Sequence, residues 1–247
     1  MHIYPIKTHA ITVQNHDLLT ILDAYLPSLT EGTILAITSK IVAICEDRVV
    51  KIGTVEKQAL VAQEADRLLP TKLNRYRVAL TITRGILIPS AGIDESNGDG
   101  FYVLWPRDPQ RTANAVRAHI RRRFGLARAG VIITDSTVAP LRTGVTGVAL
   151  AHSSFQALRD YVGSADLCGQ ALRMTKRNIA DSLATAATLV MGEGSEQTPL
   201  AVCEQLPSIV WQADDPTPDE LQQLQIAAED DLYGPLLTSI PWRAGQP

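Results

Sequence analysis

The apolar positions of this chain follow two rhythms. Short runs rich in Val, Ile and Thr, bounded by Gly, Pro or Asp, predict strands at Thr33–Thr38, Val78–Thr83, Phe101–Trp105, Gly130–Thr134, Val145–Ala151 and Leu200–Cys203. Between several of them the spacing is helical. Asp17–Tyr25 places Leu18, Leu19, Ile21 and Leu22 on one side, and Val55–Leu69 is rich in Ala, Glu and Gln. Asp108–Phe124 is punctuated as a helix, with Asp108 at the N-cap, Pro109 in the first turn and Gly125 at the stop. A further helix covers Lys176–Met191, and its stripe Ile179, Leu183, Ala186, Ala187 and Val190 reads as core packing. Strands alternating with helices predict an α/β, or mixed α+β, fold.

No internal repeat or low-complexity linker divides the chain. A lobe break is expected near residues 150–167, within a single domain over 1–247. Asp214 to Leu221 opens another helix, with Asp219 in its first turn, where a carboxylate suits the helix dipole. Residues 213–247 therefore read as a solvated docking helix and tail.

Composition narrows the function classes. The 247 residues allow one large or two small domains, and 45% hydrophobic with 20% charged residues is ordinary for a soluble globular protein. A net charge of −3 and the lack of aromatic-basic clusters argue against nucleic-acid binding. Arg121-Arg122-Arg123 ends a helix, where cations suit the dipole. Cys45, Cys168 and Cys203 are scattered, with no C-x-x-C, so neither a zinc site nor a disulfide framework is expected. No signal-peptide core or membrane-length apolar run occurs, and a reducing cytoplasm is the simplest compartment.

Two acidic segments carry the candidate chemistry. Ser90-Ala91-Gly92-Ile93-Asp94-Glu95-Ser96-Asn97 follows one apolar run, and Val131-Ile132-Ile133-Thr134-Asp135-Ser136 closes another. Each sets an aspartate where a strand emerges into a loop, the edge at which α/β proteins bind ligands. Such carboxylates suit Mg²⁺ or Mn²⁺, and they also serve as plain turn aspartates. Asn97 to Gly100 reads as a tight turn. Lys40, at a strand end, is a candidate phosphate ligand or a surface lysine.

As a set, the motifs resemble the coenzyme F(420)-0:gamma-glutamyl ligase family. That family's A-N-A-G-[VI]-D-x-S-N loop is matched by Pro89 to Asn97, with Pro89-Ser90 replacing the usual residues before Ala91, and its [VI]-[VI]-x-T-D-[TS] by Val131 to Ser136. Its T-S-K-[IV]-V is Thr38 to Val42 here, and its A-D-x-L-A-x-A-A-x-L-V-M-G is Ala180 to Gly192. The order agrees from about Tyr4 to Val202. Ile88 to Gly92 and Met191 to Gly194 are similar to a branch described as folate-metabolism gamma-glutamate ligases.

The resemblance implies a two-lobed fold, an intertwined homodimer, and ligation of L-glutamate to a small-molecule carboxylate, F(420)-0-like or folate- or pterin-like. It implies GTP as co-substrate and a divalent metal. Asp94, Asp135, Ser136 and Glu193 would hold metal, with Asp94, Asp135 and Lys40 catalytic. Pro5, Ile6, Lys7, Ser39, Lys40, Asn97, Gly192 and Gly194 would contact nucleotide. Arg142 and His152 are candidate acceptor contacts. Without the resemblance, Gly192 to Glu196 reads as a glycine-terminated helix with exposed acids, Ser136 as a cap, and His152 as a structural histidine.

The chain departs from the family at Ile44, where a second lysine is frequent, and at Ala139 and Thr143 in the R-P-x-R-E-G stretch. These changes point to a different acceptor, such as a folate or pterin-like compound; a separate alternative is a homologue that binds nucleotide or metabolite without catalysis. Some family members carry a fused flavin-binding domain; none fits in this length, so no flavin is expected.

Overall fold

The computed structural model describes residues 1–14 and 17–246. The last residue of the expected tail, at position 247, lies outside the described residues. In chain order the elements begin with β1 (His2–Ile6), α1 (Leu18–Tyr25), β2 (Thr33–Thr38), α2 (Ser39–Cys45) and β3 (Val49–Lys51). Then come α3 (Lys57–Glu64), β4 (Arg67–Leu68), β5 (Leu80–Thr83), β6 (Ile86–Pro89) and β7 (Phe101–Val103). They continue with α4 (Pro109–Phe124), β8 (Ala129–Val138), β9 (Val145–Ser153), β10 (Leu158–Asp160) and β11 (Lys176–Asn178). Last are α5 (Ile179–Met191), β12 (Leu200–Glu204), α6 (Pro218–Gln222), α7 (Gly234–Ser239) and β13 (Arg243–Ala244). The class is mixed α/β, as the pattern predicts.

Among the described residues the main sheet has five strands in the order β1-β12-β2-β8-β9. Only the β2–β8 pairing within it is parallel. Successive strand side chains point to opposite faces. Leu35 and Ile37 of β2 therefore join the core under α1 and α4, while Ile34 and Ala36 join the one under α5. Both faces are covered, so β2 reads as an unbroken apolar run.

Helix ends follow their caps. Asp17 accepts from the Leu19 amide at 3.0 Å, and Asp108 from the Arg111 amide at 2.9 Å. Gly125 ends α4 with φ +67°. The buried stripe of α5 is Ile179, Leu183, Ala184, Ala187 and Met191, rotated slightly from the predicted one. Asp181, on the same helix, accepts from the Ala149 amide and Asn178 Nδ2, tying α5 to β9.

Two helices are shorter than their patterns suggest. Val55–Leu69 is helical only over α3, because Arg67 and Leu68 pair with β5 as β4. Here strand pairing overrides a helix-favouring composition. Lys176–Asn178 pairs with β10, and Asn178 caps α5.

A smaller core gathers Leu60, Val61, Ala65, Ala79, Ala91, Ile93, Tyr102 and Leu104 beside the sheet β13-β4-β5-β6. Residues 150–167 hold the end of β9 and β10. The C-terminal segment reaches α4 and the sheet beside the smaller core. Arg117 and Arg121 donate to the Ala213 carbonyl, and β13 pairs with β4. The cysteines are free, and no helix among the described residues is long and apolar enough to cross a membrane.

Candidate active site

Strand β2 delivers Lys40 to the first turn of α2, at the edge between the two cores. Its Nζ lies 2.5 Å from Asp94 Oδ2 and donates to the Ser96 carbonyl at 3.0 Å. Ser39, its neighbour, is buried and does not line the cavity described below.

Asp94 stands on a strained loop. Ser90, Ala91, Asn97 and Asp99 all have φ near +50°, a conformation costly for side-chain-bearing residues and concentrated at functional loops. The Asp94 backbone bridges Val103, and its Oδ1 accepts from the Glu95 and Ser96 amides at 2.6 and 2.7 Å. Burial alone would raise this carboxyl. The Lys40 ammonium and the Ser96 donors outweigh burial, so its pKa lies below the usual carboxylate range.

Asp135 is not in a loop after its strand, as the sequence pattern suggests. Strand β8 runs on to Val138, and a bulge between Ile133 and Thr134 re-aims the residues beyond it. Continued pairing with β9 keeps Asp135 extended, opposite Val148. Its Oδ2 accepts from the indole Nε1–H of Trp105. Burial pushes the Asp135 carboxyl up to about 6; the Trp105 and Ser136 donors oppose this, and the charge on Asp94 adds to it.

The turn after α5 closes the site. Ser136 Oγ donates to Glu193 Oε1 at 2.6 Å, and Asn97 Nδ2 donates to the Gly194 carbonyl at 3.0 Å. Glu196 instead turns back to accept from the Gly194 amide at 2.8 Å. A side chain on Gly192 would meet that Glu196 carboxylate at 2.5 Å.

These segments surround a cavity of about 520 Å³, within the range of small-molecule sites. Lys40, Asn97, Asp135, Ser136, Gly192, Glu193 and Gly194 line it, and Asp94 adjoins through Lys40. Other predicted contacts fall elsewhere. Pro5 and Ile6 belong to β1, and Lys7 is exposed; the lining starts one residue later, at Thr8. Arg142 is exposed and does not line the cavity. His152 is 1% exposed and packs on Phe155, so it is not placed to touch an acceptor.

Sequence reasoning misses Thr8 to Thr12, which line one wall with Ile41 and Ile44. No charged or glycine-rich signal marks them. It also misses Trp105, whose one signal is an indole at the end of a strand-like run. Ile44 makes the wall apolar where the resemblance has a lysine, and it packs on Val103.

Among the described residues, no three His, Cys, Asp or Glu side chains group closely enough to hold a metal ion by themselves. The donors present are all oxygens: Asp94, Asp135, Glu193 and the Ser136 hydroxyl. That set fits a hard divalent cation whose shell is completed by water and ligand oxygens.

The F420-0:Gamma-glutamyl ligase family model matches residues 5–205. The coenzyme F420:L-glutamate ligase of Methanopyrus kandleri is 35% identical over 190 residues, 70% of this chain and 75% of that protein. The protein of the same name from Methanocaldococcus jannaschii is 36% identical over 131 residues, 53% of this chain and 52% of its own length. That from Haloarcula marismortui is 43% identical over 119 residues, 48% and 46%. The match thus spans about half the length of the latter two relatives. With most of its length matched and the acidic segments converging on one cavity, the chain belongs to the F420-0:gamma-glutamyl ligase family.

Proposed function

We propose that this protein is a gamma-glutamyl ligase that uses GTP and Mg²⁺ or Mn²⁺ to join L-glutamate to a small-molecule carboxylate. The observation that supports this most directly is the meeting of Lys40, Asp94, Asp135, Ser136 and Glu193 at one cavity.

The acceptor carboxylate attacks the γ-phosphorus, giving an acyl phosphate and GDP. The glutamate amine then attacks the acyl carbon, and phosphate leaves with one former carboxylate oxygen. Little covalent work falls to the protein in such a transfer; positioning and charge neutralisation dominate. Lys40 neutralises phosphate charge, exchanging Asp94 for a phosphate oxygen. Asp94, Asp135, Glu193 and the Ser136 hydroxyl would hold the divalent cation, which would neutralise charge on the phosphates. Asn97 and Gly194 hold the mouth in place.

The relatives are named for coenzyme F420, and an F(420)-0-like acceptor is one candidate. The apolar Ile44 in the cavity wall favours a folate- or pterin-like acceptor as the second reading; Ala139 and Thr143 are exposed and do not line the cavity.

The test is glutamate-dependent phosphate release from GTP with Mg²⁺ or Mn²⁺, across F(420)-0, folates and pterins, with products read by mass spectrometry. A glutamyl adduct on one acceptor supports the proposal, and Asp135→Asn should abolish it. Nucleotide binding without release on any acceptor would instead favour a binding protein. Full activity of Asp135→Asn would remove the site assignment.

A further inference from the structure

We infer that Trp105 is a positioning residue for the cation site, its indole N–H fixing the Asp135 carboxylate while its ring seats the loop that carries Asp94. The inference rests on the reading of Asp94 and Asp135 as cation ligands.

Trp105 follows β7 and is 2% exposed. An indole has one donor and no acceptor, so a buried Trp105 needs an acceptor for that N–H. Buried unpaired, it would carry the full desolvation penalty of a lost hydrogen bond. The acceptor is Asp135 Oδ2, reached from β8. A carboxylate with one oxygen engaged by a fixed neutral donor keeps its orientation while its other oxygen stays free for a cation.

The same ring lies against Gly92. A Cβ there would stand 2.1 Å from Trp105 Nε1, and Gly92 has φ +73°. The loop therefore lies flat on the indole two residues before Asp94. Backbone contacts hold Trp105 in turn: its carbonyl accepts from Arg48 Nε at 3.1 Å, and Arg48 pairs with Glu64 at 2.6 Å. One rigid side chain thus touches both carboxylate-bearing segments, one from each core.

Trp105→Phe keeps an aromatic ring beside Gly92 and removes the donor together with part of the ring volume, so benzothienylalanine at the same position, which has the indole shape without the N–H, is measured beside it. In the full-length protein saturated with GDP and titrated with Mn²⁺, with free ion read by electron paramagnetic resonance against a protein-free GDP control, Trp105→Phe should bind about tenfold or more weakly, as for loss of a group that orients a ligand. The Trp105 indole N–H resonance, assigned by its loss in the variant, should move as Mg²⁺ is added to the wild type. If Trp105→Phe fails to fold, the benzothienylalanine protein supplies the same comparison.

Wild-type affinity in a folded variant, within about twofold, would overturn the inference, as would weaker binding with no Mg²⁺-dependent movement of the indole resonance. Absence of Mn²⁺ binding by the wild type beyond the GDP control would overturn the cation reading itself, which separates the two failures.

Discussion

The Lys40 ammonium and the Asp94 carboxylate, 2.5 Å apart, join the β2–α2 turn of the larger core to the strained loop beside the smaller one. Lys40 is 23% and Asp94 41% exposed at the side chain, so the pair lies partly open, with Lys40 on the cavity wall. An ion pair this open stabilises the fold by about 1 kcal/mol or less. Lys40→Ala should therefore leave the urea midpoint nearly unchanged. Loss of a charge that acts on the transferring phosphoryl group should lower kcat on the order of 100-fold or more. A large loss of stability with activity retained would mean that the pair serves the fold alone.

Gly147 of β9 lies against the backbone of α5. A Cβ there would stand 2.5 Å from the Ala184 carbonyl carbon, and Thr185 Oγ1 donates to the Gly147 carbonyl at 2.9 Å. Neither backbone can give way cheaply. Gly147→Ala should destabilise the protein by about 1–3 kcal/mol, an overpacking cost, read as a lower urea midpoint.

His152 is buried, and its pKa falls from 6.5 to about 4; burial is the main cause, and the Glu220 charge works against it. The unfolded chain takes up a proton near the ordinary value, while the folded chain resists until about pH 4. Stability from the neutral ring is therefore fully present above the unfolded pKa and is lost as pH falls through the folded one. The shift corresponds to about 3 kcal/mol. His152→Asn should lose about that much less stability than wild type between neutral pH and pH 4, measured by urea unfolding across that range. Equal pH dependence in the two proteins would show that His152 titrates normally.

Local chemistry made much of this fold readable. Asp17, Asp108 and Gly125 mark helix ends because their side-chain or backbone preferences act within one turn. The apolar β2 is legible because it is covered on both faces. Strand β4 is not: its pairing with β5 is settled by a partner distant in sequence, against a helix-favouring composition.

The site divides in the same way. Asp94, Asp135 and Lys40 stand out as charges next to apolar runs, and the family motifs name them. Trp105 escapes notice because an indole in a strand-like run looks like core until its acceptor is known. Thr8 to Thr12 become a wall only when β1 pairs with β12 and the Thr8 amide donates to the Gln197 carbonyl.

The central claim is that a carboxylate is activated by phosphorylation before glutamate is attached. The most direct measurement uses an acceptor labelled with oxygen-18 in its carboxylate, incubated with GTP, L-glutamate, Mg²⁺ and the enzyme. An acyl phosphate predicts one labelled oxygen in each released phosphate, matched to each glutamyl adduct formed. Adduct formation with unlabelled phosphate would contradict that route.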